Sequence, residues 1–139
     1  HLTGKNDYFY RKLGKFKNHP NLVVRNFSNE MSALLQNADL AISRAGAGAI
    51  SELMVTKTPS ILIPFPQSAD HHQELNAAYM AKFGGAVIVN QHKPKEHILK
   101  SIISNLLNSN SLMRMKSNMN NYDFINPENK ILEILNSIS

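Results

Sequence analysis

The residues with the clearest chemical potential lie in the stretch ADLAISRAGAGAISE, residues 38–52. A short apolar run predicts a buried strand, its glycines allow a tight turn, and a helix is predicted to follow. Four small residues open that helix: Gly46, Ala47, Gly48 and Ala49. Such a start presents unpaired backbone N–H groups and a positive dipole end to an anion such as a phosphate. Glu52, less than two turns further on, could accept hydrogen bonds from a ribose diol. The alternative is a turn whose small residues only permit close packing.

A second polar group occurs in the segment DHHQELN, residues 70–76. If it is helical, His72 and Asn76 share a face and Gln73 is adjacent. These neutral donors and acceptors suit sugar hydroxyls. A metal site is disfavoured, because adjacent helical residues point about 100° apart and the sequence has neither cysteine nor an HExxH motif. The plainer interpretation is a helix N-terminus with solvent-exposed histidines.

Other kinds of chemistry have weaker support. Ser43 and Ser51 have no His/Asp partners in a nucleophile-elbow arrangement, which disfavours hydrolase chemistry. The glycines at 46–48 lack GxGxxG spacing, and no GK[ST] phosphate loop occurs. Aromatic and basic residues at 8–12 fit a partly buried amphipathic helix better than a nucleic-acid platform. We therefore expect no nucleic-acid partner.

Composition indicates an ordinary globular chain. Its 139 residues are 42% apolar and 18% charged, which corresponds to one domain at most, with a real core. The absence of cysteine gives no support for an oxidising compartment. A net charge of +5, spread along the chain, permits an acidic ligand or an anionic membrane surface, although a solvated exterior is the simpler explanation. No apolar run is long enough to span a bilayer, and no signal-peptide pattern occurs. The first residue is His1, so the chain is expected to be a piece of something longer.

Strands and helices alternate in the hydrophobic pattern. Strands are predicted at residues 22–27, 38–43, 60–63 and 86–89. Helices are predicted at residues 7–17, 28–37, 46–56, 70–81, 95–107, 111–121 and 127–137. Ser28 and Asp70 are the expected N-caps of two of them, and Gly84 is the expected stop of the second. This alternation implies right-handed crossovers and a parallel α/β sheet of Rossmann-like type, with helices on both faces. Ligands of such sheets bind at the carboxyl ends of the strands, where three loops would meet: residues 27–31, 43–52 and 64–76.

In order and content, these three loops resemble the MurG family of bacterial glycosyltransferases. The matching segments are NFSNEM at 26–31, ADLAISRAGAGAISE at 38–52, and PFP to DHHQELNA at 64–77. HLTGK at 1–5 looks like the family's strand end, so the resemblance covers essentially the whole chain. The family moves N-acetylglucosamine from UDP to undecaprenyl-pyrophosphoryl-MurNAc-pentapeptide (lipid I), which gives lipid II.

The resemblance implies the GT-B architecture, in which two Rossmann-like domains enclose the active-site cleft. Residues 1–139 would be a single partial domain, the C-terminal domain that binds the UDP-sugar donor. The N-terminal acceptor domain and the family's GGS-x-GA loop are absent from the sequence. The catalytic base is expected in that absent domain, so no catalytic residue is assigned here and this piece alone is expected to be inactive. The family needs no metal or other cofactor, and its members are peripheral at the cytoplasmic face of the plasma membrane.

The resemblance also implies a role for each site residue. The uridine pocket would contain Phe27, Ser28 and Met31. Arg44 and the turn at 46–49 would lie near the ribose and pyrophosphate, and Glu52 would hold the ribose hydroxyls. The N-acetylglucosamine hydroxyls would face His72 and Gln73, with support from Asn76. The sequence departs from many members at Gly48 and Ala49, where leucine and threonine are common, and at His72, where glutamine is common.

Two further interpretations stay open beside this one. The chain could be a stand-alone UDP-sugar-binding subunit that works with a separate acceptor subunit. It could also belong to another GT-B enzyme, such as a glycolipid glycosyltransferase. A non-enzymatic nucleotide-binding module is the plainest alternative.

Overall fold

The computed structural model describes residues 20–23, 28–68, 71–91 and 96–120. The chain divides into two compact units, His1–Leu34 and Leu35–Ser139; that residues 1–139 form a single partial domain stays a prediction. The elements of the described part are α1 (Met31–Gln36), β1 (Ala41–Ser43), α2 (Ala47–Val55), β2 (Ser60–Leu62), α3 (His72–Lys82), β3 (Ala86–Ile88), α4 (Glu96–Leu107) and α5 (Ser111–Asn120). The helices predicted at 7–17 and 127–137, and most of the strand predicted at 22–27, lie outside the described residues.

The described strands form a parallel sheet in the order β1-β2-β3. In its register, Ile42 pairs with Ile61, which pairs with Val87. The strands are shorter than predicted, although the hydrogen bond from Ile63 N–H to Ser43 O, 2.9 Å long, continues the β1–β2 pairing past Leu62. The predicted parallel α/β fold is confirmed.

Helices cover both faces of this sheet. All three residues of the central strand β2 are buried, and successive residues on a strand point to opposite faces. Leu62 packs into one core cluster with side chains of α2 and α3. Its neighbour Ile61 packs into a second cluster with side chains of α4 and α5. None of the helices in the described ranges is long and apolar enough to cross a membrane.

Three local predictions were wrong. Strand β1 is not buried on both faces, because Ile42 is 50% exposed on a strand with one paired neighbour among the described strands. Ser28 is not an N-cap: its Oγ accepts a hydrogen bond of 3.1 Å from Glu30 N–H and closes a turn before α1 begins. Helix α3 begins two residues later than predicted, and its N-cap is His71 at φ 55°, not Asp70, which lies outside the described residues.

Helices α2 and α3 end with the same pair of backbone hydrogen bonds. At the end of α2, Lys57 N–H donates to Met54 O and Thr58 N–H donates to Leu53 O. The end of α3 repeats this pattern with Gly84 and the residue that follows it. Both termini are Schellman motifs, which place one residue in the left-handed region: Lys57 has φ 54° and Gly84 has φ 67°. The predicted glycine stop of α3 is confirmed.

Candidate functional site

The N-terminus of α2 is bare. Its N-cap Gly46 has extended backbone angles (φ −65°, ψ 151°), and no side chain caps it. The first helical hydrogen bond runs from Ile50 N–H to Gly46 O over 2.9 Å, so the three N–H groups of residues 47–49 precede the helical ladder. Ala47 and Gly48 are exposed to solvent. The predicted helix start is confirmed, and its geometry suits an anion.

The glycines of this turn do not serve the fold as expected. The sequence suggested that they permit a tight turn, yet the angles of Gly46 are open to any residue. A Cβ atom added to Gly46 or Gly48 would meet nothing within 4 Å. An alanine side chain at either position would therefore fit. The glycines leave open space where their Cβ atoms would stand.

Glu52 lies further along α2 and is exposed. Within the described part of the chain, its carboxylate makes no hydrogen bond or ion pair. Its backbone carbonyl accepts hydrogen bonds from Thr56 N–H (2.9 Å) and Thr56 Oγ1 (2.8 Å). At 1.5 Å of rise per residue, Glu52 lies about 9 Å along the helix axis from Gly46. The carboxylate is available to a ligand group that lies beside an anion at the helix end.

Asn76 connects α3 to the turn before α2. Its Nδ2 donates a 3.0 Å hydrogen bond to the carbonyl of Ala45, a residue with 0% exposure. The side chain of Asn76 is itself partly buried. The bond holds the backbone immediately before the bare helix end. That Asn76 supports binding of the sugar stays a prediction.

The first turn of α3 carries the other polar residues that sequence analysis selected. Gln73 accepts a 3.0 Å hydrogen bond at Oε1 from Phe65 N–H, and its own N–H donates to Ser68 Oγ over 3.4 Å. His72, beside it, is exposed. His71 Nδ1 lies 3.2 Å from a carboxylate oxygen of Glu74. Like α2, α3 has no hydrogen bond from the side chain of its N-cap residue, but here the preceding loop supplies an acceptor, Ser68 Oγ, to a first-turn N–H.

Arg44 makes contacts that the sequence did not predict. Its Nη1 donates to Ile63 O over 3.1 Å, to Pro64 O over 3.4 Å, and to Gln91 Oε1. Its Cζ lies 5.6 Å from the centre of the Phe65 ring, within cation–π range. Arg44 thereby links the loops that follow all three described strands. That it also lies near a ribose or pyrophosphate stays a prediction.

Phe65 and Gln91 are the residues that sequence reasoning missed. Phe65 lies between two prolines just after β2, and Gln91 follows β3 by three positions. The placement of both near the carboxyl ends of strands was a usable signal. That both residues contact Arg44 could not be predicted, because Arg44 and Gln91 are 47 positions apart in the sequence.

Three cavities border the described part of the chain. One of about 430 Å³ lies between α2 and α3, where Ala47 and Asn76 are among its lining residues. A smaller one of about 310 Å³ lies between the loops after β2 and β3 and includes Gln91. Another of about 430 Å³ lies where β3 begins, against α5. Only the first contains residues that sequence analysis assigned to a ligand.

The predicted uridine pocket is not described by this structure. Phe27 lies outside the described residues. Ser28 is half-buried and Met31 begins α1, both in the first compact unit, whereas the other candidate residues belong to the second. Among the residues that the structure describes, no three His, Asp or Glu side chains form a group that could hold a metal ion.

The fold and site together define an α/β domain with an uncapped helix N-terminus at the carboxyl edge of its sheet. Residues 1–133 match the C-terminal domain of glycosyltransferase family 28, and the chain belongs to this family. The resemblance to the MurG family is thereby confirmed.

The relatives and solved structures agree with this assignment. The chain is 74% identical, over all 139 residues, to the UDP-N-acetylglucosamine--N-acetylmuramyl-(pentapeptide) pyrophosphoryl-undecaprenol N-acetylglucosamine transferase of Prochlorococcus marinus strain NATL2A, and spans 40% of that protein. It is 58% identical over 107 residues (77% of the chain, 29% of the relative) to the protein of the same name from Synechococcus sp. strain CC9605. The crystal structure of Acinetobacter baumannii MurG matches 99% of the chain and 40% of its own length with a TM-score of 0.81 at 24% identity, which shows the shared fold.

Proposed function

We propose that this chain is the donor-binding part of a glycosyltransferase that moves N-acetylglucosamine from UDP-N-acetylglucosamine to undecaprenyl-pyrophosphoryl-MurNAc-pentapeptide (lipid I). The product, lipid II, is a precursor of peptidoglycan, so the role would be in cell-wall biogenesis. The observation that carries the proposal is the bare N-terminus of α2, joined by the Asn76–Ala45 hydrogen bond to the polar first turns of α3. Identity of 74% to a protein named for this donor and acceptor supports the particular substrates.

Each part of the donor has a proposed partner. The pyrophosphate would accept hydrogen bonds from the N–H groups of residues 47–49, and the ribose hydroxyls would donate to Glu52. His72 and Gln73 would face the N-acetylglucosamine hydroxyls. Phe27, Ser28 and Met31 would hold the uracil.

The reaction needs two kinds of assistance. When the glycosidic bond to UDP breaks, negative charge develops on the leaving diphosphate, and the α2 N-terminus would stabilise it. An inverting transfer also needs a general base for the acceptor hydroxyl. We place that base in the acceptor domain, outside residues 1–139. These residues alone would bind the donor without transferring the sugar.

We further propose that the protein works as a peripheral protein at the cytoplasmic face of the bacterial plasma membrane. The support is chemical: the acceptor named for the relatives is carried on undecaprenol, a lipid. The net charge of +5 is compatible with an anionic membrane surface.

Calorimetric titration of the natural protein that carries this sequence tests the proposal. In the titration, UDP-N-acetylglucosamine should bind more tightly than UDP-glucose. In a separate transfer assay, the protein should convert lipid I to lipid II. Equal affinity for both donors without lipid II formation would favour another GT-B enzyme. Transfer that requires addition of a separate acceptor-binding protein would identify a stand-alone subunit. Failure to bind any uridine nucleotide would contradict the proposal.

A further inference from the structure

One peptide group in the loop after β2 is held at both ends. The carbonyl of Pro64 accepts a hydrogen bond from Arg44 Nη1 over 3.4 Å. The N–H of the same peptide group, which belongs to Phe65, donates to Gln73 Oε1 over 3.0 Å. A single peptide plane therefore connects the residue after β1 to the first turn of α3. Proline on each side of Phe65 restricts this plane further, because proline fixes φ.

Arg44 is well suited to hold this loop and its neighbour. Three acceptors share Nη1: the carbonyls of Ile63 and Pro64, and Oε1 of Gln91. A guanidinium nitrogen of this type carries two hydrogens, so the three acceptors engage both and share at least one of them. The guanidinium also lies 5.6 Å from the centre of the Phe65 ring, a contact that a planar group makes better than an ammonium.

We propose that Arg44 is a positioning residue for the donor sugar. By fixing the Pro64–Phe65 peptide group, it fixes the side chain of Gln73 and thereby the surface of α3 that faces the sugar. This inference rests on the proposed function, which assigns the N-acetylglucosamine hydroxyls to α3. It differs from the expectation drawn from the family resemblance, in which Arg44 acts near the ribose and pyrophosphate.

A positioning role and a phosphate-binding role give different signatures. The proposed pyrophosphate and ribose contacts lie on α2, whose preceding turn is held separately by the Asn76–Ala45 hydrogen bond. Loss of Arg44 should therefore weaken binding of the sugar and spare that of the nucleotide. A phosphate ligand would instead contribute equally to the binding of UDP and of UDP-N-acetylglucosamine.

The test compares the affinities of UDP and UDP-N-acetylglucosamine in the natural protein and its variants. Arg44→Ala and Arg44→Lys should both weaken UDP-N-acetylglucosamine binding about tenfold and leave UDP binding within about twofold, since lysine keeps the charge and loses the planar donor fork. Gln91→Ala should shift the same ratio in the same direction by about threefold, through the loss of one hydrogen bond. Arg114→Ala, at an exposed arginine of α5, is the matched control and should change neither affinity.

Thermal unfolding of each variant separates positioning from loss of the fold. If Arg44→Ala does not fold, Arg44→Lys and the exposed Gln91 variant still decide the question. Equal weakening of UDP and UDP-N-acetylglucosamine by Arg44→Ala, with UDP affinity restored in Arg44→Lys, would overturn the proposal and identify a phosphate ligand. An unchanged affinity ratio in all three variants would also overturn it. If the unmodified protein binds neither compound, the proposed function fails and this inference fails with it.

Discussion

Helices α2 and α3 both begin at the carboxyl edge of the sheet, yet their N-termini are built differently. Helix α2 begins after Gly46 with small residues and no capping side chain. Helix α3 begins after His71, which is in the left-handed conformation and pairs with Glu74 across the first turn. Gln73, in the same turn, is hydrogen-bonded to the loop after β2. The N-terminus of α2 therefore presents backbone N–H groups to a ligand, and that of α3 presents side chains.

This difference fits the two halves of a nucleotide sugar. A diphosphate needs several donors in a small space and tolerates little bulk, which a bare helix end supplies. Sugar hydroxyls both donate and accept hydrogen bonds, so side-chain amides and imidazoles suit them. Asn76 joins the two helices at Ala45, where the diphosphate and the sugar of the donor would meet.

The strongest test of the bare end of α2 is a negative charge placed there. Gly48→Asp should weaken UDP binding up to about a thousandfold, because two like charges about 4 Å apart repel by roughly 4 kcal/mol at the dielectric constant of a protein surface. The same change should raise the free energy of unfolding by about 0.5 kcal/mol, since an acidic residue in the first turn stabilises a helix. Calorimetry and urea unfolding measure the two effects.

Gly48→Ala is the control for this variant. A Cβ at this position meets open space, so UDP affinity should stay within about twofold while helix stability rises slightly. If Gly48→Ala weakened binding as much as Gly48→Asp does, bulk and not charge would be the cause, and the anion would not lie where we place it.

Glu52→Ala tests the second contact proposed on α2. UDP binding should weaken by about 1.5–3 kcal/mol, the range for hydrogen bonds to a charged acceptor. Glu52→Gln should lose less, because the amide oxygen still accepts. Asp39→Ala, at an exposed carboxylate on the amino side of β1, is the matched control. Unchanged affinity in Glu52→Ala would remove Glu52 from the site.

Variants on α3 should affect the sugar and not the nucleotide. Gln73→Ala should weaken UDP-N-acetylglucosamine binding about three- to tenfold and leave UDP binding unchanged, because it removes the proposed hydrogen bonds to the sugar hydroxyls and the bond from Phe65 N–H, and no proposed contact to the nucleotide. Leu75→Ala, on the same helix at a side chain that is 64% exposed, should change neither. Competition titrations with both compounds give the ratio of the two affinities directly. Equal losses of affinity for UDP and UDP-N-acetylglucosamine would contradict the assignment of the sugar to α3 and of the diphosphate to α2.

The smallest effects concern the other ends of the same two helices. Lys57 occupies the left-handed position that glycine occupies at Gly84. Lys57→Gly should therefore stabilise the protein by about 1 kcal/mol, and Gly84→Ala should destabilise it by about 1–2 kcal/mol. The second change has the added cost that a Cβ would contact the side chain of Asn118. Urea unfolding that showed the opposite order would contradict the assignment of these two helix ends.

Much of this architecture could be predicted, because its strands and helices have strong local signals. The apolar run at 60–63 became the buried central strand, and the double glycine after residue 83 ended α3. Predictions failed where tertiary context overrides local signals. The apolar content of β1 suggested full burial, yet Ile42 is half exposed, because burial depends on neighbours that are distant in sequence. No side-chain signal marked Lys57 or His71 as left-handed.

For the candidate site, the spacing of residues along a helix could be predicted, but their tertiary contacts could not. Spacing along one helix placed Gln73 next to His72 and put Asn76 on the same face as His72, because helical geometry is periodic. The hydrogen bonds of Arg44 join residues 19, 20 and 47 positions apart. Such partners depend on the packing of separate loops, which no local pattern encodes.

A crystal structure of the natural protein with UDP-N-acetylglucosamine tests the central claim most directly. We predict that the diphosphate oxygens lie within hydrogen-bond distance of the N–H groups of residues 47–49, with the ribose at Glu52 and the sugar at α3. Density for the donor in the cavity where β3 begins, lined by Gly84, Ala86 and Arg114 among others, would contradict this account.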